Sequence, residues 1–333
     1  MVFPKTASLY ALAGVIVLSL SGCTKTISQD TAGKLLVATT VSPITSIVSQ
    51  VAGNRAVVQG IVPEGVNSHT YEPPPSTAKL LSKADLIFVN GLRLEDPTKD
   101  MALANMKPGA TVVELATQSI KESDWIFDFS FPKKDGKPNP HLWTDPLYAV
   151  KYAKSVRDAL SLADPAGRST FAKNYTKFAK VATGISDSLK FDQESLPKAS
   201  RTLLTYHDAY AYFSRDYGWN VIGAIQPSNF EDPTPKEIAT LIDQVRSSKV
   251  KAIFGSEVFP SKVLEEIGNE TGVRYVDTLR DDDLLGGPGQ PEHSWQSLMR
   301  SNYVTMIEAL GGKCPTLIGL NLKIEGDSAI YPQ

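Results

Sequence analysis

The sequence predicts an α/β protein of two open βα-repeat lobes, each with a central sheet, bridged by one long rigid helix. Three observations predict it. Short apolar runs alternate with amphipathic stretches over residues 35–114 and again over residues 202–310. Between these regions, residues 145–195 carry no strand signal. Within that gap Phe171, Tyr175, Phe178, Val181 and Ile185 recur every three or four positions, which is the period of a helix.

The elements follow in order. Residues 35–39 read as a strand, and Ser42-Pro43 starts a helix to about residue 51. Serine accepts from the free N–H groups of a first turn, and proline is tolerated where no donor is needed. Residues 57–62 and 84–90 read as strands, separated by a Pro-rich loop and a helix at 76–83, and 111–114 is a further short strand. Residues 123–140 read as loop. Asp145-Pro146 opens a helix to about residue 163, and a second helix runs from 165 to 189. A helix of about 25 residues is roughly 37 Å long at about 1.5 Å per residue, enough to run the length of two lobes. Strands then return at 202–205, 220–224, 250–254 and 273–279, alternating with helices at 208–217, 234–247, 261–270 and 294–310. Gly311-Gly312 stops the last helix. The expected divisions are an N-terminal lobe at 34–163, a linking helix at 164–195 and a C-terminal lobe at 196–333.

The first 23 residues stand outside this fold. Lys5 precedes an apolar run at 7–20 that is short for a membrane span, and the run ends in Leu20-Ser21-Gly22-Cys23. That tetrapeptide looks like a lipobox. It predicts an exported chain acylated at Cys23 and anchored to the cell membrane by lipid, followed by a polar tether at 24–33. Beyond Cys23 the one cysteine is Cys314, so an intramolecular disulfide and a CxxC metal site are both excluded. A formal net charge of −2 implies no basic face and argues against nucleic acid. About 310 residues is large for one core, which again suggests two lobes.

Candidate chemistry is concentrated in scarce residues. Only four histidines occur, and three lie in loops mixing aromatics and a carboxylate, two of them with proline as well. They are His69 in Asn67-Ser68-His69-Thr70-Tyr71-Glu72-Pro73, His141 in Asn139-Pro140-His141-Leu142-Trp143-Thr144-Asp145-Pro146, and His207 in Thr205-Tyr206-His207-Asp208-Ala209-Tyr210. The acidic run Asp281-Asp282-Asp283 follows the strand expected at 273–279. In open α/β sheets ligands sit beyond the carboxyl ends of strands, and clefts between lobes hold small ligands. Three imidazoles and a carboxylate make a four-coordinate site for a transition metal. A lone histidine is more often simply hydrogen-bonded, and the acidic run also reads as a solvated turn. His293, before Ser294, reads as a helix-start residue.

These segments resemble the metal-binding lipoproteins of bacterial ABC importers for zinc and manganese (cluster A-I, the zinc-uptake complex component A or periplasmic solute-binding protein family 9). His69-Thr70-Tyr71-Glu72-Pro73 looks like the family's first ligand loop. Pro140-His141-Leu142-Trp143-Thr144-Asp145-Pro146 is similar to its second, D-P-H-x-W-x-D-P, with Asn139 in place of the leading Asp. The stretch from His207 to Gly218 resembles the third. Thr278-Leu279-Arg280-Asp281-Asp282-Asp283-Leu284 resembles the fourth, T-L-x-S-D-S-L, and this register makes Asp282 the ligand, with Asp281 as fallback. The resemblance implies a metal site of His69, His141, His207 and Asp282.

It further implies a receptor, not an enzyme, that delivers its ion to an ABC permease and its ATPase, acting as a monomer. Relatives tuned for manganese often carry a carboxylate where His207 stands. Three histidines therefore favour Zn2+, with Mn2+ as the alternative. The absence of histidine from 118–140, where zinc importers often have a His-rich loop, pulls the other way. Glu257 follows the strand expected at 250–254 and is a candidate hydrogen-bond partner of a ligand histidine. A zinc hydrolase is the alternative of another class; it needs an open coordination position and a placed base, and no HExxH motif occurs. A surface adhesin is a third reading.

Overall fold

Two parallel sheets of the same topology carry the structure. The computed structural model describes residues 1–2, 33–230, 233–248, 250–256, 262–323 and 328–332. Cys23, the apolar run at 7–20, most of the tether at 24–33, and Glu257 lie outside the described residues. The chain divides into two units, Met1–Asp30 and Thr31–Gln333, and every element below belongs to the second.

The first sheet contains β1 (Leu35–Ala38), β2 (Ala56–Gln59), β3 (Leu86–Val89) and β4 (Thr111–Glu114), in the order β2-β1-β3-β4. The second contains β5 (Thr202–Thr205), β6 (Asn220–Ala224), β7 (Ala252–Phe254) and β8 (Arg274–Val276), in the order β6-β5-β7-β8. All neighbouring strands run parallel. In each sheet the chain adds one strand on one side of the first and then crosses to the other. That reversal leaves a crevice at the carboxyl ends, where a ligand can enter. After β8 the chain leaves the sheet at Val276, so the expected strand to residue 279 is cut short. The following residues turn into the crevice.

Helices cover the sheets: α1 (Ser42–Ala52), α2 (Thr77–Leu81), α3 (Asp96–Asn105), α4 (Leu115–Ser119), α5 (Pro146–Ala163), α6 (Arg168–Asp192), α7 (Ala211–Tyr217), α8 (Pro235–Ser248), α9 (Lys262–Thr271), α10 (Trp295–Ala309) and α11 (Pro315–Gly319). The long helix expected from the periodicity is α6, 25 residues that bury Phe171, Phe178, Ala182, Ile185 and Leu189. It packs against α1, α5, α10 and α11. One continuous core joins Val37 and Ile44 near the first sheet to Trp143, Tyr152 and Phe178, and these to Phe213, Phe254 and Tyr303 near the second. Such an interior is packed as densely as an organic crystal and resists deformation. Helices α3, α4 and α11 escaped the periodicity. Among the residues of α3 only Thr98 and Ala102 are buried, so its apolar face is too narrow to read.

Candidate metal centre

Each histidine is delivered by a loop that the local sequence shapes. After β2, the Asn67 side chain accepts from His69 N at 2.9 Å and Asn67 O from Thr70 N at 3.3 Å, folding a tight Asx turn. Tyr71 Oη donates to Ile61 O at 3.1 Å and pins that loop to its strand. The same device recurs at the second histidine, where Asn139 Oδ1 accepts from His141 N at 3.1 Å. A short 3-10 turn, Leu142–Thr144, then leads into α5, whose first turn is capped by Asp145 Oδ1 accepting from Leu147 N at 2.7 Å. His207 leaves β5 directly. Residues 207–210 form the turn before α7, which is why that helix begins at Ala211 and not at 208.

The acidic turn after β8 is clamped from several sides. Trp143 Nε1 donates to Asp281 O at 2.9 Å, Tyr210 Oη to Arg280 O at 2.9 Å, and Arg280 N to Asn302 Oδ1 at 3.1 Å. Gly65 N donates to Asp283 Oδ2 at 2.7 Å. Glu64 Oε1 accepts from Leu284 N at 3.2 Å and lies 3.1 Å from His293 Nε2. The loop after β2 and the turn after β8 are thereby fastened together, although they belong to different sheets.

The three imidazoles converge. His69 Nε2 lies 3.2 Å from His141 Nε2 and 3.2 Å from His207 Nε2, and the latter two are 2.9 Å apart. Two nitrogens at about 2.05 Å from a tetrahedral ion stand about 3.3 Å apart, so the triangle has the dimensions of one face of a coordination sphere. Asp281 and Asp282 both join His141 in a cluster whose ligand atoms lie within 4.8 Å of one another. Asp281 Oδ2 is 3.4 Å from His207 Nε2, and Asp281 Oδ1 accepts from Ser256 Oγ at 3.2 Å. Asp282 Oδ2 accepts from Ser68 Oγ at 2.5 Å. The far ring nitrogens are also engaged. His141 Nδ1 meets Asn139 Oδ1 at 2.8 Å and His207 Nδ1 meets Gln226 Oε1 at 2.6 Å. An oxygen at Nδ1 requires the proton there, which leaves the Nε2 lone pair facing inward.

Burial sets the charges. It holds His69 and His141 well below the ordinary imidazole value of 6.5, and repulsion from neighbouring imidazoles adds to the effect. Burial also lowers His207, opposed by the Asp282 carboxylate and by Gln226. The same burial raises Asp282, against the pull of His207 and Ser68. Neutral imidazoles are the form that binds a metal. A dication entering here also relieves the cost of burying the carboxylate charge. Behind His207, burial and the neighbouring Asp128 push Asp208 well above the carboxylate range, while burial raises Asp128 itself to about 6.

Two aromatic rings cover the triangle. Phe230 stacks on His69 with centroids 4.4 Å apart and planes 8° from parallel, and Phe131 lies tilted 5.4 Å away. Of the sequence-predicted residues, His69, His141, His207, Asp281 and Asp282 come together, and Glu257 lies outside the described residues. His293 stands apart, paired with Glu64, and Ser294 caps α10 by accepting from Ser297 N. Sequence reasoning missed Ser68, Phe131, Phe230, Gln226 and Ser256. Gln226 and Ser256 each lie two residues beyond a strand end, where the rule that led to His207 also applies.

Comparisons with known proteins agree with this geometry. The family model described as "Zinc-uptake complex component A periplasmic" matches residues 37–309. The chain is 26% identical over 307 residues to the manganese ABC transporter substrate-binding lipoprotein PsaA of Streptococcus pneumoniae, covering 92% of this chain and 99% of that one. It is 28% identical over 318 residues to the iron-binding protein YfeA of Yersinia pestis, covering 93% and 97%. Among solved structures, the periplasmic zinc binding protein TroA from Treponema pallidum superposes with a TM-score of 0.74 at 26% identity, covering 84% of this chain and 99% of that one. Those three proteins are named for manganese, iron and zinc. With a match across most of the chain and one fold throughout, this protein belongs to the zinc-uptake complex component A family.

Proposed function

We propose that this protein is the extracytoplasmic solute-binding component of a metal ABC importer and that its cargo is Zn2+. The observation that carries the reading is the triangle of Nε2 atoms, from the buried His141 and His207 and the half-buried His69, with edges of 2.9 to 3.2 Å. Zinc favours imidazole nitrogen and small coordination numbers, so three imidazoles and the Asp282 carboxylate suit it. The chain would be held at the membrane by lipid on Cys23, would act as a monomer, and would hand the ion to a permease driven by its ATPase. The family is a transport component, which gives the hydrolase reading no support.

Manganese is the second reading, and one observation favours it. Asp281 and Asp282 both approach His141, so a fifth donor, an oxygen, stands close to the four expected ligands. Manganese leans toward oxygen and higher coordination. Competition calorimetry on metal-stripped protein decides between them. Zinc should displace manganese and should raise the melting temperature, with about 2.7 kcal/mol of stabilisation when free zinc is 100 times its Kd. Manganese displacing zinc would reverse the assignment, and no thermal shift with either ion would overturn the receptor reading.

A further inference from the structure

Two of the three converging histidines rest on neutral carboxamides. His141 Nδ1 donates to Asn139 Oδ1 at 2.8 Å, and His207 Nδ1 donates to Gln226 Oε1 at 2.6 Å. Asn139, His141, His207 and Gln226 are all buried, so water cannot substitute for these partners. The Asn139 amide is oriented by its other contacts, and the Gln226 backbone is held in place. Asn139 Nδ2 donates to Asp208 O at 2.7 Å and reaches Asp128 at 3.3 Å, so its oxygen must face His141. Gln226 N donates to Tyr206 O at 2.9 Å, and Gln226 O accepts from Ser130 Oγ at 2.6 Å, which fixes its backbone beside β5.

Carboxylates lie one step behind these contacts. Asp128 lies directly behind Asn139, and Asp208 follows His207 in sequence. Among the described residues, the oxygens that meet Nδ1 of His141 and His207 are those of the Asn139 and Gln226 amides. A carboxylate at Nδ1 pulls the proton toward itself, makes the imidazole a stronger donor at Nε2 and tightens the metal. An amide oxygen fixes the same tautomer and ring angle with less of that polarisation. We infer that Asn139 and Gln226 are positioning residues that aim two imidazoles at the metal while keeping them weaker donors, so that the ion is released fast enough to be handed on. The inference rests on the metal-receptor reading above and adds to it the residues that set its exchange rate.

The test compares zinc release from the full-length wild-type protein and from Gln226→Glu, using a chromophoric chelator in stopped flow and chelator competition for Kd. Gln226 is the cleaner position because its Nε2 meets no hydrogen-bond partner among the described residues, so the exchange removes no recorded bond. Tightening and slower release of about 10-fold or more are expected, the scale on which such partners act. Losing a merely structural contact would weaken binding, so a gain cannot come from damage. The double exchange Asn139→Asp with Asp128→Asn moves the carboxylate to His141 and keeps an amide donor between positions 128 and 139, at the loss of the bond from position 139 to Asp208 O, and it should also slow release. Gln226→Met, which removes the acceptor, should speed it. Absorption of the cobalt(II) form should be unchanged in Gln226→Glu.

Equal or faster release from both Gln226→Glu and the double variant, in protein that melts like wild type, would overturn the inference. So would a changed cobalt spectrum, since the new carboxylate would then be a ligand itself. Should Gln226→Glu fail to fold, the double variant decides alone. Failure of the wild-type protein to bind zinc or manganese would instead remove the receptor reading beneath it.

Discussion

Ser68 Oγ donates to Asp282 Oδ2 at 2.5 Å, joining residues 214 positions apart, and Ser68 is the residue directly before His69. One buried bond therefore ties the first histidine loop to the acidic turn. It also occupies one carboxylate oxygen of Asp282, Oδ2.

Replacing Ser68 by Ala deletes this bond and leaves the Asp282 carboxylate with the Ser68 backbone N–H but without the hydroxyl. Zinc affinity should fall about 10-fold, because partners that orient a ligand typically act on that scale. The metal-free protein should lose about 1.5 to 3 kcal/mol, as expected for a buried hydrogen bond to a charged group. Chelator competition and denaturant melts measure the two effects. Unchanged zinc affinity would mean that Asp282 is held without Ser68, or that Asp281 is the carboxylate that matters.

The sequence made most of this legible, for identifiable reasons. Strand ends marked His207 and the acidic run because parallel sheets bind ligands there, and the stripe from Phe171 to Ile185 marked α6 because its face is buried and regular. Ser68 and Gln226 were invisible because a hydroxyl or an amide carries no signal until it faces its partner. The convergence itself was invisible too. His69 and His207 are 138 positions apart, and only packing through the shared core brings their rings within 5.0 Å. The choice between Asp281 and Asp282 rested on resemblance in the sequence, and geometry brings both close because neighbouring residues in a tight turn share one place.

The proposed preference for zinc rests on His207. Exchange to Ala should lower zinc affinity by about two orders of magnitude or more, since it removes a ligand outright. Exchange to Glu keeps a donor but makes it an oxygen, which shifts preference toward manganese. Calorimetry on both variants should show zinc lost in the first and the zinc-to-manganese ratio reduced in the second. A ratio unaltered by His207→Glu would place the choice of metal elsewhere.

The buried imidazoles also set a pH dependence. In the unfolded chain they titrate near 6.5, while in the folded protein His69 and His141 lie well below that value and His207 below it. As pH falls through 6.5 the unfolded chain takes up protons first. The contribution of these rings to the stability of the metal-free protein is therefore full above that pH and is lost progressively below it, toward the depressed folded values. Asp282 has the opposite sign, because its folded value is raised above 3.8, so its burial costs stability once pH rises through that range. Glu95, Asp145 and Asp128, whose carboxyls burial raises to about 7, about 7 and about 6, act with the opposite sign in the same range, so the histidine part is read as a difference: between about pH 7 and pH 5 the melting temperature of stripped His69→Ala should lose less, or gain more, than that of stripped wild type. An equal slope in His69→Ala would show that this ring is not buried neutral.

Phe230 holds a backbone φ of 60°, a left-handed conformation that a bulky residue adopts only under constraint, while its ring lies flat on His69 at 4.4 Å. The strain and the stacking belong together, because the left-handed turn is what aims the ring at the imidazole. Removing the ring should open His69 to water and speed metal exchange in both Phe230→Ala and Phe230→Gly. The two variants should differ in stability. Glycine reaches positive φ without penalty and alanine does not, so the glycine variant should be about 1 kcal/mol more stable than the alanine variant. Stopped-flow exchange and denaturant melts separate the two roles. Exchange rates equal to wild type would mean that Phe131 alone covers the site, and equal stabilities would mean that the turn relaxes once the ring is gone.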